Sequence, residues 1–121
     1  MAENKLVDLS LELSVNVIQF CEHFHGHGSL KNQLERSATS IGANIREANY
    51  AHSKADFISK LQIALKECYE TEYWLELFKR AELADQEQLR MLAVQCGTIR
   101  KILIASIQTA KNNSNSAKRP P

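Results

Sequence analysis

The chain reads as an all-α protein, an antiparallel up-and-down four-helix bundle, on three observations. Apolar residues recur at three- and four-residue intervals in four separate segments. Proline is absent until Pro120 and glycine stands only at positions 26, 28, 42 and 97, so little interrupts helical backbone. With 121 residues, 44% of them hydrophobic, the chain can bury one continuous core and is short for two domains of ordinary size. The expected layout is a bundle over residues 1–111 and a disordered polar tail over 112–121.

The first helix carries Leu6, Leu9, Leu13, Val17, Phe20 and Phe24 on one face. A second apolar line, Val7, Leu11 and Ile18, lies about 120° away at ~100° per residue and needs some other surface to cover it. The helix ends where HFHGHGS brings in Gly26 and Gly28. Ser29 is the expected N-cap of the second helix, which turns Leu30, Leu34, Ala38, Ile41 and Ile45 inward. Gln33, Ser37, Ser40, Asn44 and Glu47 run beside that stripe. Gly42 costs up to ~1 kcal/mol of helix propensity. A neighbouring helix approaching closely would explain it, with the polar edge expected to hydrogen-bond across the same contact.

Ser53 and Asp56 form a capping-box-like pair ahead of the third helix, whose inner face is Phe57, Leu61, Ala64, Leu65, Cys68 and Leu75. Glu72 falls between Leu61 and Leu65 on the wheel, where a carboxylate requires a partner; Arg36 and Asn44 are the expected ones, with Glu67 and Glu70 on the adjoining edge. Asp85 and Gln88 open the fourth helix, which buries Leu89, Leu92, Cys96, Ile99, Leu103 and Ala110.

Net charge is +1, but its distribution is uneven. Residues 1–28 sum to −3, 29–66 to +3, 67–87 to −5, and 88–121 to +6 with no acid after Gln88. Helices of opposite sign packed side by side would produce this, as would an anion-binding surface. Cys21, Cys68 and Cys96 are odd in number and lie in apolar patterns, which favours buried reduced thiols and a cytoplasmic location over a disulfide framework. Glu3, Asp8 and Glu12 interrupt any signal-peptide hydrophobic region, and no apolar run approaches the roughly 20 residues of a membrane span.

Ser40-Ile41-x-x-Asn44-Ile45-x-Glu47, then Ser53-x-x-Asp56-Phe57, Leu61-x-Ile63-Ala64-Leu65 and Glu70-x-Glu72-Tyr73-Trp74-Leu75 resemble a four-helix-bundle family. Its members include 23S ribosomal RNA intervening-sequence proteins and the accessory variability determinants of diversity-generating retroelements. The resemblance covers roughly residues 5–110. It implies a homo-oligomer, in known relatives a pentamer, and for the retroelement branch an accessory that binds nucleic acid and a reverse transcriptase. Many relatives have glycine after the glutamate where this chain has Ala48, so the second helix is expected to run further before its turn.

Arg36, Ser40, Gly42, Asn44, Glu47 and Glu72 are assigned to packing and assembly. The candidate nucleic-acid surface is Arg90 and Lys101 along the outer face of the fourth helix, flanked by Arg100 and Lys111. A solvated basic face near a helix C-terminus is the plainer reading of the same residues. No aromatic platform interleaves with them. Tyr69, Tyr73, Trp74 and Phe78 are expected to form an apolar patch that subunits cover. His23, His25 and His27 lack the i, i+4 spacing of helical metal sites, and the carboxylates lack the Glu-x-x-His motifs of di-iron bundles. No metal, cofactor or catalytic set is expected. Two functions remain open: a nucleic-acid-binding accessory that holds RNA or DNA, or a scaffold that binds protein alone.

Overall fold

The computed structural model describes residues 2–118 and consists of four helices: α1 (Ala2–Glu22), α2 (Gly28–Ala48), α3 (Lys54–Arg80) and α4 (Gln86–Lys118). Each helix packs on its neighbours in chain order, and α1 closes the ring against α4. Leu6, Leu13, Val17, Leu34, Ile41, Ile45, Leu61, Leu75, Leu89, Ile99 and Leu103 fill the centre, each almost fully buried. Burying a side chain of this size contributes about 1.5–3 kcal/mol, so the inward stripes dominate the stability of the fold. At one end of the bundle Phe78 meets both Phe20 and Phe24 edge to face, with ring centroids 5.5 Å apart for Phe24 and Phe78, and Phe20 stacks on Phe24. Phe78 is 1% exposed and so belongs to this core cluster, not to the surface patch expected for it.

The helix boundaries follow local chemistry. Ser53 caps α3 by accepting from the Asp56 amide at 3.0 Å, and Asp56 Oδ2 in return accepts from the backbone of His52. Asp85 caps α4 through the Gln88 amide at 2.9 Å. Helix α2 departs from expectation at both ends. Gly26 (φ 85°) and His27 (φ 53°) take consecutive left-handed conformations, so the helix begins at Gly28 and Ser29 lies within its first turn instead of capping it. It stops at Ala48 and does not run on, because Asn49 and Tyr50 turn back with bonds to the carbonyls of Arg46 and Glu47.

The close of α3 is a Schellman arrangement in which Glu82, at φ 53°, donates to the Lys79 carbonyl and Leu83 to that of Phe78. Helix α4 continues to Lys118, so residues 112–118 of the expected tail are helical; 119–121 lie outside the described residues. Propagation from a formed turn requires only one residue to be fixed per hydrogen bond, and that carries the backbone through weak helix formers.

Two edges of α2 serve two different neighbours. A Cβ placed on Gly42 would lie 3.3 Å from Ser10 Oγ and 3.5 Å from Ser10 Cβ, so the glycine faces α1. Ala38 shares that seam, and its carbonyl lies 3.5 Å from Ser14 Oγ. The polar edge faces α3 instead. Ser37 and Thr71, both fully buried, hydrogen-bond at 2.9 Å, and Glu47 pairs with Lys60 at 3.2 Å. The expectation that glycine and polar edge serve one contact is therefore corrected: they lie on opposite flanks of the inward stripe. No polar side-chain atom buried among the described residues lacks a hydrogen-bond partner.

Candidate nucleic-acid interface

The assigned packing residues divide by neighbour. Arg36 spans the α2–α3 groove to Glu67 at 3.1 Å and to Glu70, whose carboxylate also accepts from Trp74 Nε1 at 3.3 Å. Glu72 does not meet Arg36 or Asn44. It lies on the α4 side of α3 and pairs with Arg100 at 2.9 Å. Asn44 makes no cross-helix bond among the described residues; its Nδ2 donates to the Ser40 carbonyl one turn back, at 2.8 Å. That bond is the one hydrogen bond of Ser40 beyond the regular helical ladder among the described residues.

The basic stripe of α4 is less uniform than its wheel suggests. Arg90 forms an ion pair with Glu87 one turn before it, which holds the Glu87 carboxyl below its ordinary range. Arg100 is half-buried and committed to Glu72. Lys101 and Lys111 are exposed and make no ion pair among the described residues. Lys101 lines an open groove of about 660 Å³ together with Ile102, Ala105 and Thr109 of α4 and Lys54 and Phe57 from the first turn of α3. Ten residues of helix separate Lys101 from Lys111, about 15 Å at 1.5 Å per residue.

Antiparallel packing also determines which loops share an end. The start of α1, the end of α2, the start of α3 and the end of α4 lie together, opposite the Phe24 cluster. That half of the molecule carries Lys5, Arg46, Lys54 and Lys111, none of them ion-paired among the described residues. Lys54 and Arg46 were missing from the candidate set because charge sums along a sequence do not reveal which helix ends meet.

Outside this region, three apolar side chains stand open on α1: Leu11 at 56% exposure, Val15 and Ile18. Tyr69 and Tyr73 are likewise exposed on α3, with Tyr73 edge-on to Trp74 at 5.0 Å. His23 lies 2.7 Å from the Gln19 carbonyl through Nδ1, and His27 stacks on Phe24. Among the described residues no three His, Cys, Asp or Glu side chains group closely enough to hold a metal ion, and no helix is long and apolar enough to cross a membrane. The cysteines are unbridged and buried. Burial and the Glu35 carboxylate push the Cys21 thiol up to about 12, and the bond to Cys68 together with burial pushes that of Cys96 higher still.

These features define a four-helix bundle with a small-residue seam, a charge-paired seam and, towards one end, several basic side chains without ion-pair partners among the described residues. The chain belongs to the 23S rRNA-intervening sequence protein family, whose profile it matches over residues 2–105. It is similar to the crystal structure of a protein of unknown function from the S23 ribosomal protein family of Bacteroides thetaiotaomicron, at 45% identity and a TM-score of 0.83. That match covers 89% of this chain and 99% of the other. No match is found among curated proteins.

Proposed function

We propose that the protein is a non-enzymatic, homo-oligomeric bundle that binds nucleic acid through the basic side chains of its Lys54–Lys101–Lys111 half. The observation that carries this reading is that Lys54 and Lys101 line one groove without carboxylate partners among the described residues, with Lys111 unpaired further along α4, whereas the other basic residues of α4 with described side chains, Arg90 and Arg100, are already neutralised by Glu87 and Glu72. Phosphate groups would take the place of the missing carboxylates, and the counterions they release make such binding salt-dependent. Assembly of copies through the open α1 stripe would repeat the basic half and multiply its field. The pentameric count and a reverse transcriptase as partner rest on the family resemblance alone. The reduced cysteines support a cytoplasmic location.

The test is fluorescence anisotropy with labelled single-stranded RNA. A Lys54→Glu/Lys101→Glu double variant should bind at least about tenfold more weakly, because two phosphate contacts become repulsions. Arg90→Glu should change affinity by less than about threefold. Equal affinity for wild type and double variant would overturn the reading. A protein-only scaffold is the second reading, and the exposed Leu11, Val15 and Ile18 stripe favours it. Its mark is an oligomer that retains no RNA at physiological salt.

A further inference from the structure

A second hollow lies at the same end, between the start of α1 and the end of α2. It is polar, has a volume of about 460 Å³, and is lined by Val7, Asp8, Arg46, Asn49 and Tyr50. That size falls within the range of roughly 300–1,000 Å³ usual for small-ligand sites. Tyr50 is the most exposed of the large hydrophobic side chains among the described residues, at 79%. Its backbone is nevertheless fixed, since its amide donates to the Glu47 carbonyl at 3.0 Å and Ala51 donates to that of Ala48. The four polar side chains lining the hollow make no side-chain hydrogen bond or ion pair with one another or with any other described residue. Their neighbours behave differently: Glu47, the residue after Arg46, is paired with Lys60, and Asp56 beyond the loop is consumed in capping.

We infer that this hollow is a subsite for one unpaired nucleotide of a bound single strand, its base stacked on Tyr50, its phosphate on Arg46 and its base edge on Asp8. The inference rests on the nucleic-acid reading above and adds the class of nucleotide. A phenol ring presents a face on which any base can stack, and stacking alone does not select sequence. Selection comes from Asp8, whose ionised carboxylate only accepts hydrogen bonds. Of the four bases, guanine offers two adjacent N–H donors on its Watson–Crick edge, at N1 and N2, and so matches a two-oxygen acceptor. Asn49, with an amide that both donates and accepts, can serve the neighbouring O6. Arg46 supplies the cation for the phosphate, and a guanidinium fork holds two of its oxygens at once. The carboxylate repels phosphate, which sets the polarity of the nucleotide in the hollow.

The experiment compares binding of a labelled twelve-nucleotide oligoadenylate with that of the same strand carrying one central guanosine. Wild type should favour the guanosine strand by about tenfold. Tyr50→Ala should weaken binding of both strands by about tenfold, and Tyr50→Phe should not. Asp8→Asn should abolish the preference by weakening the guanosine strand about tenfold, to the level of the oligoadenylate. Arg46→Gln should weaken both strands alike and lower the salt slope by about one. All four side chains lie at the surface, and circular dichroism of each variant should match wild type. If wild type binds neither strand, the nucleic-acid reading itself fails. If wild type binds both equally and Tyr50→Ala binds as wild type does, the subsite fails while that reading stands.

Discussion

The substitution Gly42→Val tests the close approach of α1 and α2 directly. Its Cβ would stand 3.3 Å from Ser10 Oγ and 3.5 Å from Ser10 Cβ, and its two methyl groups would reach further into a seam where Ser10 is 1% exposed. Ser10 cannot simply turn aside, because its hydroxyl donates to the Val7 carbonyl at 3.1 Å. Overpacking a filled seam costs about 1–3 kcal/mol, and leaving glycine returns a few tenths in helix propensity, so the net loss should be about 2 kcal/mol. Ala43→Val, one residue on and exposed, provides the control and should cost no more than about 0.7 kcal/mol, the loss of helix propensity from alanine to valine. The assay is urea denaturation followed at 222 nm at one fixed protein concentration, since any self-association would couple stability to concentration. Ser10→Gly removes the two nearest atoms and leaves the Ser10 carbonyl carbon at 3.8 Å, an ordinary contact. In that background Gly42→Val should cost at least about 1 kcal/mol less, a coupling large enough to measure by a double-mutant cycle. Equal costs for Gly42→Val and Ala43→Val, or no coupling with Ser10, would refute the reasoning.

Two further outcomes follow from the same structure. Glu82→Gly should stabilise the protein by about 1 kcal/mol, because Glu82 closes α3 at φ 53°, where glycine is at ease and a side chain is not; an unchanged or lower urea midpoint would contradict this. The Cys21 thiol, raised from 9.0 to about 12, keeps its proton in the folded state at a pH where the unfolded chain has lost it. Stability from this group is therefore complete below pH 9.0 and declines toward 12, with a slope approaching about 1.4 kcal/mol per pH unit. Urea titrations at pH 8.5 and 10.5 should show a smaller loss in Cys21→Ala than in wild type, and equal losses would count against the buried thiol.

Much of the bundle was legible because its signals are local. The pairs Ser53–Asp56 and Asp85–Gln88 begin helices where capping chemistry places them, and the inward stripes of α1 to α4 follow from spacing. The start of α2 was not legible, since two successive left-handed residues at Gly26 and His27 reset the chain before Ser29 could cap it. Helical wheels give an angle but not a neighbour. Glu72 had the right character for a paired carboxylate and met Arg100 across the other seam; Gly42 had the right character for a close approach, and only the structure names α1 as the helix that makes it. Phe78 sits one helical turn beyond Trp74 yet turns inward, and only the packing of Phe20 and Phe24 reveals it. The candidate interface was half legible. Its basic residues are visible in sequence, but their neutralisation by Glu87 and Glu72 and the meeting of Lys54 with Lys101 depend on which helices touch.

The most direct measurement of the functional account is the salt dependence of RNA binding by the wild-type protein, followed by anisotropy between 50 and 300 mM potassium chloride. Three lysines contacting phosphates of a single strand predict a slope of about −2 in log K against log salt, at ~0.7 per contact, and a steeper one if several subunits engage the same strand. No measurable binding at 50 mM, or binding whose strength does not change across that range, would contradict the account.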